Sequence, residues 1–175
     1  MIRLYFIFIS ILLLSTKNFA TNIAVIDINF LINNSEHFIE ISNQISNSQL
    51  EFKENFKQRE QNLFKSKSEL EELKIILSEK EFNIKKDDYY QKVSKFENDV
   101  FDFNSHYENE IVKIKNILFT KISELIEEYA STNKIDLIID KNQYLLAADK
   151  INLNSIMITK LNESSIDLKY EKYEN

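Results

Sequence analysis

The chain has 175 residues, a formal net charge of −6, and no Cys, Gly or Pro. Without Cys it has no disulfide framework, thiolate metal site, cysteine nucleophile or lipid-modified mature N-terminus. Without Gly, phosphate-cradling and dinucleotide loops lose the close backbone approach they depend on, and the acidic balance argues against nucleic acid as a partner.

The first segment, "MIRLYFIFISILLLSTKNFA", places Arg3 before an apolar run from Leu4 to Leu14 and then a polar stretch ending in Ala20. That is the layout of a secretory signal peptide over residues 1–20. The apolar run is too short for a spanning helix, which needs about 20 apolar residues, although an uncleaved anchor is the alternative. Either way the chain is predicted to be exported, most simply to the periplasm of a Gram-negative bacterium.

"NIAVIDINFLIN", residues 22–33, is apolar on both alternating faces for most of its length and predicts a strand buried on two sides. Ser35 then caps a helix, with Glu36 in its first turn. No strong breaker follows until about Thr132. Phe38, Ile45, Phe52 and Leu73 fall on one heptad row, and Phe56, Leu63, Leu70 and Leu77 on the row four residues later. A second stripe steps by three or four residues through Val93, Phe96, Val100, Phe103, Tyr107, Ile111, Ile114, Leu118, Ile122, Leu125 and Tyr129. Between the stripes the period falters and charge clusters at Lys85, Lys86, Asp87 and Asp88, so the arm is predicted to turn within residues 80–92. The two arms are then about 45 residues each, roughly 70 Å at helical rise. One continuous helix is the competing arrangement; the broken seam and matched arms favour the hairpin.

"IDLIIDKNQYLLAA", residues 135–148, predicts two strands, Ile135–Ile139 and Tyr144–Ala148, around a turn at Lys141–Asn142. A short amphipathic helix over 152–162, capped by Asn154, is expected to turn Ile158 and Leu161 inward. The tail, 164–175, is expected to be flexible. The fold class is α+β and mostly helical: an antiparallel coiled-coil hairpin, residues 35–132, projecting from a small β body formed by residues 21–34 and 133–163.

The order of these segments, with Ile26–Asp27 closing the first strand, Asp140, Asn152-Leu153-Asn154 and Leu161-Asn162, resembles the Skp/OmpH family of periplasmic chaperones. The resemblance extends to about residue 162. It implies a homotrimer whose strands join into one body, with three helical arms around a cavity that holds unfolded outer-membrane proteins without ATP or any other cofactor. In that arrangement Ile23, Val25, Ile26, Leu137, Ile139, Tyr144 and Leu146 are the oligomerisation strands. The well-known members are basic and this chain is acidic. A weak membrane or lipopolysaccharide contact would therefore fall to the lysines of the arm tip: Lys80, Lys85, Lys86, Lys92 and Lys95. These also read, more simply, as a solvated helix end.

Holding an unfolded chain needs dispersed apolar contacts rather than a catalytic group. Phe101, Val112, Phe119 and Ile126 form a row about 100° from the main stripe. Phe101, Val112 and Phe119 are the candidate client contacts, against the plainer reading of packing within the hairpin. No catalytic or metal site is predicted. His37 and His106 lack ligand spacing, and Asp27, Asp140 and Asp149 read as strand ends and caps more readily than as an acid–base pair. The alternative of a different class is a structural coiled-coil spacer or membrane tether.

Overall fold

A computed structural model describes residues 21–174; the leader expected over 1–20 lies outside the described residues. Strand β1 spans Ile23–Ile26 and ends sooner than the apolar run suggests. Asp27 stops it: its Oδ1 accepts from the Phe30 N–H at 2.9 Å and caps a helix, α1, over Ile28–Asn34. The predicted strand over 22–33 is therefore a strand followed by a helix. The signal was an Asp in N-cap position ahead of apolar residues. Ser35 next caps α2, Glu36–Leu73, by accepting from the Phe38 N–H at 3.2 Å, as expected.

The arm turns over residues 74–78, earlier than predicted. Ser78 and Glu81 form a capping box that starts α3, Glu79–Asn133, so residues 80–92 are helical throughout. The charges clustered there decorate one helix surface and break nothing. At 38 and 55 residues, α2 and α3 are about 57 Å and 82 Å long. They pack antiparallel: Ser48 Oγ and the Tyr107 hydroxyl are 3.0 Å apart, and farther out Arg59 and Asp99 pair at 2.6 Å. This excludes one continuous helix. Helix α3 ends on Lys134, whose backbone (φ 53°, ψ 45°) is left-handed without the customary glycine.

Strand β2, Leu137–Asp140, then pairs with β1 in parallel, in the register Ile23↔Leu137 to Ile26↔Asp140. Parallel strands need a crossover, and here the whole helical arm provides it. The predicted β-hairpin does not form. Asp140 accepts from the Asn142 N–H at 3.0 Å and turns the chain through a 3₁₀ segment, Lys141–Gln143. Tyr144 and Leu146 consequently lie in no strand. The other edge of β1 is met by a single bridge from Val25 to Asn152, with the Leu153 N–H donating to the Val25 carbonyl at 2.9 Å.

Helix α4, Asn154–Glu163, packs on α1 and α3. Leu161 is fully buried as predicted; Met157, also buried, takes the place foreseen for Ile158, which is half-buried. Asn154 is not the cap: Asn152 Oδ1 accepts from its N–H at 2.8 Å, and Asn154 Oδ1 accepts from the Asp27 N–H at 2.8 Å instead of from its own helix. One apolar core runs from Ala24, Ile26, Leu31 and Leu153 in the body through Ile114, Leu118 and Ile122 to Ile45, Phe56 and Phe103 in the arm. Each of the Ile, Leu and Phe side chains contributes about 1.5–3 kcal/mol on burial.

Candidate functional site

The α3 stripe faces inward as its period requires: Phe103, Tyr107, Ile114, Leu118 and Ile122 are buried. The seam of the first arm is nowhere exposed, from Phe38 along α2 to Leu77 in the turn. The row displaced by about 100° does face solvent. Phe101, Val112 and Phe119 are 69%, 56% and 48% exposed, while Ile126 packs on the core. Beside Val112, a shallow depression is lined by Asn116, Ile117 and Thr120. The arm surface therefore presents aromatic and aliphatic side chains that its own partner helix leaves uncovered.

The five lysines named above are all exposed on the first turns of α3. They interleave with Glu79, Glu81, Asp87 and Asp88, and Lys92 pairs with Asp88 at 2.7 Å. The tip is thus a mixed-charge surface. The turn itself exposes Ile75 and Ile76, two adjacent apolar residues that the heptad bookkeeping passed over.

In the body, Val25 and Ile26 are buried in their own chain, Ile139 is half-buried, and Ile23 and Leu137 are exposed. The outer edge of β2 has no strand partner among the described residues. Past it, Leu145 and Leu146 stand almost wholly in solvent.

The two strand-end aspartates act as caps. Asp27 Oδ2 also pairs with Lys141 at 2.8 Å, and Asp140 Oδ2 accepts from the Ile28 N–H at 3.4 Å. The Lys141 ammonium holds the Asp27 carboxyl below its ordinary range, with the Phe30 N–H assisting and burial opposing. Asp149 opens a separate 3₁₀ turn, Asp149–Ile151. Among the described residues no cluster of His, Asp and Glu is placed to hold a metal. His37 Nε2 lies 3.1 Å from the Leu161 carbonyl and ties α2 to α4.

His106 has a different partner, which the sequence reading missed. The tail expected to fray instead runs back along the arm. Ile166, Leu168, Tyr170 and Tyr173 pack against the core. Tyr173 sits in an aromatic cluster 5.4 Å from Phe52 and 5.5 Å from Phe103, centroid to centroid. His106 Nε2 is 2.8 Å from the Glu171 carbonyl, and the Glu171 N–H donates to the buried Glu110 at 2.9 Å. The Tyr170 hydroxyl donates to the Gln44 carbonyl at 3.2 Å. Burial, with Asp102 and Asp99 nearby, raises the Tyr173 phenol above its ordinary value. The alternation of Ile166, Leu168 and Tyr170 was the available signal.

No curated protein matches the sequence. Among solved structures, the fold resembles that of an OmpH-like candidate outer membrane chaperone from Caulobacter crescentus, with a TM-score of 0.73 at 9% identity over 89% of this chain and 92% of that one. The family described as "Outer membrane protein (OmpH-like)" matches residues 22–161, which takes in the body, the whole helical arm and nearly all of α4. The chain belongs to the OmpH-like family.

Proposed function

We propose that the protein is an ATP-independent holdase chaperone of the bacterial periplasm, which binds unfolded outer-membrane β-barrel proteins between helical arms and prevents their aggregation. The observation that carries this reading is the uncovered row Phe101, Val112 and Phe119 on an arm longer than its core needs. Such a row offers weak, dispersed apolar contact, which suits reversible capture of many sequences. The family and the likeness to a candidate outer membrane chaperone point to the same clients. The absence of Gly leaves no phosphate-cradling loop for a nucleotide.

Three copies would enclose the cavity. The free edge of β2 and the exposed Ile23, Leu137, Leu145 and Leu146 are the surface on which copies of the chain would join. The mixed charge of the tip supports no more than a weak contact with lipopolysaccharide or membrane. The alternative of an envelope spacer gains nothing from the fold: β1 and β2 lie side by side, so the two β ends do not span the arm.

Dilution of a urea-denatured barrel protein into buffer containing residues 21–175, followed by light scattering, tests the reading. Aggregation should be suppressed at stoichiometric ratios without ATP, and Phe101→Ser/Phe119→Ser should suppress it less at unchanged oligomer mass. Undiminished suppression by that variant would remove the row as the contact; no suppression by the parent chain would overturn the function.

A further inference from the structure

The tail binds the arm through its backbone and through an alternating set of apolar side chains. Its best hydrogen bonds are main-chain ones: a single residue, Glu171, gives its N–H to Glu110 and its carbonyl to His106. The side chains alternate, with Ile166, Leu168 and Tyr170 turned toward the arm and Asp167, Lys169 and Glu171 toward solvent. Apolar side chains at every second residue, outside any helix, repeat the pattern of a strand from a transmembrane β-barrel. The strap also lies beyond the region that matches the family, whereas the groove beneath it lies within that region. At Asp99, whose carbonyl the Tyr173 hydroxyl reaches, the line of the strap meets a cleft of about 480 Å³ lined by Arg59, Leu63 and Phe96, which the described residues of the tail leave open.

We propose that this groove, bounded by Phe52, Phe103, His106 and Glu110, is a binding site for extended segments of alternating polarity, and that residues 164–174 are its built-in competitor. An unfolded barrel strand displaces the strap, takes over the two main-chain hydrogen bonds and continues into the cleft toward the arm tip. The strap keeps the aromatic groove covered when no client is present. The chemistry of the occupant rests on the chaperone reading above; the groove and its competitor do not.

A fluorescent peptide of residues 165–175 tests this by anisotropy. It should bind a chain ending at Glu163 and bind the full chain about tenfold more weakly, because only the fraction with the strap open is competent. An unlabelled peptide copying an alternating barrel strand should displace it, and one of equal composition with the alternation scrambled should not. Equal affinity for the two chains, no binding to the shortened one, or no displacement by the barrel peptide would overturn the proposal. Should the shortened chain lose its helical circular dichroism, Tyr170→Ser/Tyr173→Ser in the full chain takes its place, with the same expectations. Suppression of barrel aggregation by the full chain, measured alongside, reports on the chaperone reading separately.

Discussion

Asp27 joins both ends of the body. Its carboxylate caps α1 and pairs with Lys141, and its N–H donates to Asn154. Asn162 does similar work by accepting from the Glu36 N–H at 3.0 Å. These are the residues whose sequence context carries the family resemblance, so that context is a set of staples across the body. The partners across the body, Lys141 and Asn154 for Asp27 and Glu36 for Asn162, were not legible because each lies more than a hundred positions away. Asp27→Ala should cost about 1–2 kcal/mol, the usual loss for a cap, measured by urea unfolding. Because Lys141 lowers the Asp27 pKa, the charge-dependent part of that contribution is complete above the unfolded value near 3.8 and is lost as pH falls through the folded one. Asp27→Asn keeps a capping side chain without the charge. It should therefore lose less stability than the parent on acidification below about pH 4, and identical acid limbs would contradict the assignment. At Lys134, a left-handed non-glycine residue costs about 1 kcal/mol. Lys134→Gly should raise the midpoint of thermal unfolding by about 2–4 °C; a lowered midpoint would show that the cap is not strained.

At the scale of elements, the two long helices were legible because a stripe sustained over many turns outweighs any local irregularity. The turn was misplaced because charge clustering imitates a break, while the capping box Ser78–Glu81 marks the true start of α3. The β-hairpin was misread because two apolar runs around Asn look alike whether they pair with each other or elsewhere. Here β2 finds β1 across the full length of the arm, a pairing that no local pattern encodes. The arm is also uneven. Outward of Phe56 and Phe103 no side chain among the described residues is fully buried, whereas Tyr107, Ile114, Leu118 and Ile122 are. Few buried contacts mean easier local opening. Amide exchange should therefore be faster over residues 60–100 than over 103–122, and uniform protection along α3 would contradict this. If the proposed function holds, an outer arm that opens easily would suit clients that differ in size.

At the scale of the whole molecule, a single chain leaves part of its body uncovered. A two-stranded sheet is marginal on its own, one edge of β2 is free, and Leu145 and Leu146 have nothing to pack on among the described residues. Association with copies of the same chain would cover these groups and set several arms side by side with their Phe101–Phe119 rows available to a shared client. The measurement that tests this most directly is multi-angle light scattering of residues 21–175, alone and after mixing with a denatured outer-membrane barrel protein. The account predicts three chains in the free particle and a complex heavier by the mass of one client. A single chain whose mass does not change when the client is added would contradict it.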